Sequence, residues 1–398
     1  MKYKTRFLGF FVSMIVFNLA ANFAHPVTPT VIQDLNLHDY MFGVALAAMM
    51  VTNFLMSPFW GKINVYISSR LSLLICCLGY GIAQVWFAYA TTELMIILAR
   101  MFAGLFTGGI FVSFLTYVVN VAKPEDQAKY LTYSATIQSV AAAFGYMIGG
   151  FIGEYSVKAA FLVQAGTLFA VAIAFYLICE PDAYDGMKIS GKQLAKEANP
   201  FQAFMDAGKF MTVAFALLFV VNILINFGNT GFDQAFNYYL KDQMGLTSSY
   251  NGIIKAAVGL VSFVSNMTLC IWIINKTNVK KSMVVLTAVC TVAAIGTLVI
   301  PQIGLFIAFS VLVYAGYSVS IPVLQDMVAK LADPTQKNLV MGFFNATKSL
   351  GSIAGSLIAG FIYSVHAKLP FAITVVIYGL SVVTAAAYLV YGKKGKKA

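Results

Sequence analysis

Residues 98–152 read LARMFAGLFTGGIFVSFLTYVVNVAKPEDQAKYLTYSATIQSVAAAFGYMIGGFI, and this stretch decides what kind of chain it is. It sets one arginine, Arg100, inside an apolar run long enough to cross a bilayer. A short charged turn, A-K-P-E-D-Q-A-K, then leads into a second run that carries Gly145, Gly149 and Gly150. A charge at membrane depth is costly and is usually kept for function. Small residues at helical spacing let two helix backbones touch. The stretch also recurs: sliding the chain by 210 superposes Pro124 on Pro334, Ser139 on Ser349, Gly145 on Gly355, Ile148 on Ile358 and Gly150-Phe151-Ile152 on Gly360-Phe361-Ile362 without a gap. The shared proline and paired glycines are not generic apolar matches, so the chain reads as two related halves.

Composition agrees. The 398 residues are 60% hydrophobic and 10% charged, with a mean hydropathy of +0.81, whereas soluble domains are about 25% charged. Met1 to Arg6 forms a basic flank, but the apolar run after it outlasts a signal peptide, so no cleaved leader is expected. The five cysteines lie in or at the ends of apolar runs and read as small buried residues, with no disulfide or metal framework expected. No G-x-x-x-x-G-K-[ST] loop is present for nucleotide-driven transport. No Ser/His/Asp, Cys/His or metal-ligand constellation suggests an enzyme, and no cofactor is implied.

Twelve spans are expected, near 7–33, 41–61, 71–91, 94–121, 130–152, 158–179, 210–240, 251–274, 283–300, 303–329, 338–363 and 371–392. The fold class is therefore an all-α membrane protein: twelve transmembrane helices in two pseudo-symmetric six-helix bundles, residues 1–180 and 210–398. A polar linker, 181–209, joins them. With the N-terminus inside, 20 of the 26 basic residues fall on inner surfaces, three (Lys158, Lys241, Lys368) fall outside, and Arg100, Lys255 and Lys348 fall within spans. That bias expects both termini to be cytoplasmic. It explains the net charge of +11 by contact with anionic lipid headgroups, so no nucleic-acid partner is expected. Trp60, Trp86 and Trp272 near span ends read as interface anchors.

These features resemble the major facilitator superfamily. Ser57-Pro-Phe-Trp-Gly61 looks like the entry to that family's loop between helices 2 and 3, and Arg100-x-x-x-Gly104 like its fourth-helix arginine motif. Gly145-Tyr-Met-Ile-Gly149-Gly150 resembles its fifth-helix antiporter motif, with Tyr146 where proline is usual. Phe227-Gly-Asn-Thr-Gly-Phe-Asp-Gln234 is similar to the acid-bearing seventh helix of bacterial quinolone and multidrug efflux pumps. One departure stands out. Where the family loop reads G-x-L-A-D-R-x-G-R-K, this chain has Gly61-Lys-Ile-Asn-Val65-Tyr-Ile-Ser-Ser-Arg70, without the acid expected at Val65. The resemblance implies that other contacts must then latch the cytoplasmic side, or that gating differs.

Several residues could carry transport. Asn18 and Asn22 match Asn222 and Asn226 at an offset of 204, each pair on one helix face. Asn22 and Asn226 fall near the midplane, where repeat-built transporters bind cargo; the plainer reading is interhelical hydrogen bonding. Asp233 lies within the seventh span, as a proton-coupling acid or in a static pair with Lys255. His25, just before Pro26, titrates near neutrality or serves structurally at a kink. Lys348, at the 210-repeat position of Gln138, is too deep to snorkel and reads as a cavity charge. Arg100 would hold a coupling charge, and Phe232 and Phe236 are aromatic candidates for the pocket. Gly104, Gly145, Gly149, Gly150, Gly351, Gly355 and Gly360 read as packing surfaces without chemistry. The expectation is a monomeric secondary transporter of the bacterial cytoplasmic membrane, exporting a small amphiphilic compound in exchange for protons by alternating access. An organic-anion carrier, or a lipid or glycolipid flippase, are the alternatives on the same scaffold. The topology is checked by adding single cysteines in a cysteine-free background. A thiol at 192 should react with impermeant reagent only after permeabilisation, and one at 158 from outside in intact cells.

Overall fold

The computed structural model describes residues 3–64, 66–182, 198–333 and 336–394. Val65 and linker residues 183–197 therefore lie outside the described residues. Among the described residues the regular structure is helical. The first half comprises α1 (Tyr3–Ala21), α2 (Thr28–Asp34), α3 (Met41–Ile63), α4 (Ser69–Ala88), α5 (Glu93–Val121), α6 (Pro124–Tyr155) and α7 (Val157–Ile178). After the short α8 (Gln202–Met205) come α9 (Val213–Asp242), α10 (Ser248–Ser265), a π turn over Asn266–Cys270 and α11 (Ile271–Lys276). The chain then continues through α12 (Val279–Val299), α13 (Ile303–Leu331), α14 (Lys337–Tyr363) and α15 (Leu369–Lys394). Among the described residues, ten helical stretches are long and apolar enough to cross a membrane, Ser248–Lys276 counting as one. The other two of the expected twelve are the first, whose apolar part is the shorter Thr5–Ala21, and α14. In α14, Thr347, Lys348, Ser349, Ser352 and Ser356 dilute the apolar residues.

Local chemistry sets the ends. Pro124 starts α6, where a missing N–H costs nothing, and Glu125 and Asp126 complement the helix dipole. Thr92, Ser156 and Asn278 cap their helices by accepting from the backbone N–H of Met95, Ala159 and Lys281. The continuous first span expected over 7–33 is corrected: the helix stops at Ala21 and resumes at Thr28. Pro26 has no N–H to bond four residues back, and its ring crowds the carbonyl of Asn22. At the break the Ala21 carbonyl accepts from Tyr80 Oη at 3.3 Å and Gln164 Nε2 at 3.2 Å. Trp60 is also corrected. It is buried, and its indole N–H donates to the Leu105 carbonyl at 2.7 Å, so it ties α3 to α5 and does not anchor an interface.

By contacts the chain forms two compact units: Met1–Leu37, Ala48–Pro200 and Leu240–Gly259 in the first, His38–Ala47, Phe201–Tyr239 and Leu260–Ala398 in the second. These divide the chain differently from the two six-helix bundles read off the sequence. Ten residues at the start of α3 belong with the second unit, and a segment running into α10 belongs with the first. Within the units a repeat is plain: α4 packs on α5 and α7, and α12 packs on α13 and α15.

The closest approaches use glycine. A Cβ on Gly145 would stand 2.3 Å from the Leu19 carbonyl oxygen, and one on Gly149 2.2 Å from that of Phe23. In the second unit, Gly351 meets the Ile223 carbonyl at 2.4 Å and Gly355 that of Phe227 at 2.2 Å. Thus α6 lies on α1 as α14 lies on α9, through glycines four apart against carbonyls four apart. Packing pairs Gly145 and Gly149 with Gly351 and Gly355, one turn away from the 210-residue slide. A Cβ added to Gly104 would similarly meet α3, at the Met49 carbonyl oxygen and Thr52 Oγ1. Gly355→Val should lower the thermal unfolding temperature in detergent, at a cost of about 1–3 kcal/mol for overpacking. Gly379→Ala, with no atom within 4 Å of its added Cβ, should not lower that temperature.

Candidate substrate and coupling site

The polar face of α9 is the spine of the second unit. Asn222, Asn226, Asn229, Asp233 and Asn237 recur at three- or four-residue spacing, hence on one side of the helix. Asn222 and Asn226 are fully buried. Asn222 Nδ2 donates across to α14, to the Phe344 carbonyl at 2.8 Å and Thr347 Oγ1 at 3.0 Å. Asn226 Nδ2 donates back to the Asn222 carbonyl and Oδ1, at 2.8 and 3.0 Å. Two tyrosines one turn apart on α13 complete the face: Tyr317 Oη donates to Asn226 Oδ1 at 2.9 Å, and Tyr314 Oη to Asp233 Oδ1 at 2.8 Å. The half-buried Asp233 carboxyl is thus held at a fixed hydroxyl. Asn229 Oδ1 is buried without a hydrogen-bond partner.

The matching pair in the first unit is used differently. Asn18 donates to the Met14 carbonyl and Asn22 to the Asn18 carbonyl, both at 2.8 Å and both within their own helical run. Asn18 is buried and Asn22 half-buried at the α1 break. Phe232 and Phe236 have no exposed surface. They stack at 6.0 Å and meet Tyr314, Phe306 and Phe371, which makes them packing for the Asp233 region and not a surface open to cargo.

Arg100 is buried in the first unit. It donates to Thr28 Oγ1 at 3.2 Å and lies over the Phe87 ring at 4.4 Å, and its Nε finds no partner. His25 stacks on Tyr146 with centroids 5.3 Å apart, and Lys255 Nζ lies 5.7 Å from the same ring. Tyr146, standing where the family motif has proline, is therefore the surface that gathers two of the expected charges. Gln138 on α6 is half-buried, whereas Lys348 on α14 is exposed.

At the end of α6, Gly150 meets the Ser248 carbonyl of α10 (Cβ distance 2.4 Å), Gly252 of α10 meets the Tyr146 carbonyl (2.6 Å), and Glu154 accepts from Ser249. In the second unit, Gly43 of α3 meets the Ser356 carbonyl of α14 (2.2 Å), Gly360 meets the Tyr40 carbonyl (2.6 Å), and Tyr238 donates to Asp39 at 2.6 Å. Gly150 and Gly360, 210 residues apart, have the same role. At the far end of the first unit, Asp182 accepts from Ser68 Oγ (3.1 Å), Ser69 N–H and Oγ (2.6 Å each) and Asn120 Nδ2 (3.2 Å). A carboxylate from after α7 thus grips the start of α4, three residues beyond the position where Val65 replaces the family's acid. Arg6 pairs with Glu180 beside it.

The comparisons with known proteins agree with this architecture. The profile of the Major Facilitator Superfamily matches residues 7–305 and 218–398. The chain belongs to that family. It is 20% identical to Multidrug resistance protein 1 of Bacillus subtilis (strain 168) over 352 residues, 87% of this chain and 86% of that one. It is 23% identical to the Quinolone resistance protein NorA of Staphylococcus aureus (strain N315) over 380 residues, 92% of each. Among solved structures, a bacterial homolog of the human lysosomal transporter Spinster, inward-facing and unoccupied, superposes with a TM-score of 0.78 at 13% identity. That match covers 97% of this chain and 96% of the other. The chain is a multi-pass membrane transporter.

Sequence reasoning missed Tyr314, Tyr317, Gly43, Gly252 and Asp182. Because Asn222 bridges helices and Asn18 bonds its own, Asn222→Ala should cost about 1–3 kcal/mol. Asn18→Ala should cost well under half of that, both read by thermal unfolding of purified protein.

Proposed function

We propose that this transporter exports a small amphiphilic compound in exchange for protons, with Asp233 as the coupling acid. The observation that carries the reading is the Asp233 carboxyl within a membrane-spanning helix, half-buried and accepting from Tyr314. A carboxylate in that position is costly and is usually kept for a function. A carboxyl that gains and loses a proton as its surroundings change is the simplest coupling element for exchange. The relatives named for multidrug and quinolone resistance support an amphiphilic cargo moved outwards.

Asn22 and Gln138 in the first unit, and Asn226 and Lys348 in the second, would contact or support the cargo, and Arg100 would supply a fixed positive charge. The glycine contacts at Gly150 and Gly252, and at Gly43 and Gly360, would form on the side facing out and part during the cycle. With its termini in the cytoplasm, the protein would act as a monomer in a bacterial cytoplasmic membrane. In everted vesicles, Asp233→Asn should abolish uptake of an amphiphilic dye driven by an imposed proton gradient while dye binding to purified protein persists. Uptake at the wild-type rate would refute the assignment.

A further inference from the structure

The α14 helix changes neighbours half-way along. In its C-terminal half, Ser352, Ser356, Gly360 and Tyr363 face inwards. Ser356 Oγ donates to the Gly43 carbonyl at 2.9 Å, and Gly360 lies on the start of α3. On the opposite side Leu350, Ile358 and Phe361 are exposed, as expected for a surface against lipid. Following the protein-facing side towards the N-terminus by steps of three and four leads to Lys348, Asn345 and Gly342, and here it is open: all three are exposed. The open polar face therefore continues the side of α14 that packs on protein, not the side that meets lipid.

Lys348 sits two residues from the centre of the 27-residue helix, about 3 Å along its axis at the rise of an α-helix. No carboxylate, hydroxyl or carbonyl among the described residues pairs with it. Asn345, one turn away, presents an amide on the same face, and the added Cβ of Gly342 would find no atom within 4 Å, which leaves room for a ligand. The rotation of the helix is fixed from behind, where Asn222 holds the Phe344 carbonyl and Thr347 Oγ1, the groups on either side of Asn345. An ammonium without a counter-charge at this depth is expensive, and a cargo anion would supply the missing charge.

We propose that Lys348 and Asn345 form an anion subsite, and that the cargo is an amphiphile bearing a carboxylate, its acid held at Lys348 with Asn345 donating to the second oxygen. This rests on the reading of the protein as a transporter of small amphiphiles and narrows its substrate class.

The test uses full-length protein purified in detergent, with ligand-induced stabilisation as the readout. The probes are naphthylacetate, phenylbutyrate and decanoate, the primary amide of each, and the lipophilic cation tetraphenylphosphonium. At least one acid should bind more tightly than its amide. Lys348→Gln should weaken that acid about tenfold, equivalent to about 1.4 kcal/mol, and leave its amide unchanged. Lys348→Arg should retain most of the affinity, and Asn345→Ala should cost less than Lys348→Gln. Unfolding curves without ligand verify that each variant is folded, and Lys348→Arg keeps the test open should the glutamine variant fail to fold. The proposal is overturned if no acid binds better than its amide, if Lys348→Gln weakens acid and amide alike, or if tetraphenylphosphonium outbinds every acid. Proteoliposome uptake separates the two readings. Proton-driven uptake of the cation, with no Lys348-dependent acid binding, would remove the anion subsite and keep the exchanger. Lys348-dependent acid binding in a protein whose uptake ignores the proton gradient would do the reverse.

Discussion

Backbone-to-backbone approach at glycine is the constraint on which the rest of this structure depends. Lipid tails are as apolar as leucine, so membrane helices gain little by burying apolar surface against each other and associate through packing and polar bonds instead. Gly145 and Gly149 let α6 sit on the carbonyls of α1, and Gly351 and Gly355 let α14 sit on those of α9. Only at that separation can a short side chain such as Asn222 bridge helices and fix the rotation of α14. That rotation decides which face carries Lys348 and Asn345. Packing geometry and chemistry are thus one problem here, because a wider crossing would unmake the hydrogen bonds that aim the functional groups.

Much of this was legible in the sequence because membrane physics writes in long runs. Twelve spans, the halves, the glycine faces and the asparagine spacing all follow from length, hydropathy and helical period, which survive without tertiary information. What was lost depends on single long-range contacts. The α1 break is visible in Pro26, yet the groups that satisfy the Ala21 carbonyl, Tyr80 and Gln164, lie far off in the sequence. Trp60 sits at a span end like any interface tryptophan, but a carbonyl on α5 claims it. Tyr314 and Tyr317 could not be singled out among 21 tyrosines before α13 was placed against α9. The equal spacing of the two asparagine pairs also concealed an inequality: one pair bonds across helices and the other along its own.

The departure at Val65 has a counterpart elsewhere in the chain. The first unit does bring a carboxylate to the start of α4, but Asp182 delivers it from beyond α7. Single-sequence motif reading is blind to such a contact, because it joins positions more than a hundred residues apart. The two units also show why halves read from sequence and units read from contacts differ. The start of α3 and the start of α10 each pack away from the rest of their own half.

The central claim is that these end contacts open during turnover, and a reversible tether tests it most directly. Tyr40 and Phe361, whose ring centroids lie 5.4 Å apart at the α3–α14 contact, would be replaced by cysteines in a background lacking the five native ones. A short reducible cross-linker would then join them in proteoliposomes. The account predicts that the tethered protein still binds ligand but stops transporting, and that reduction restores transport. Undiminished transport through the intact tether would contradict it.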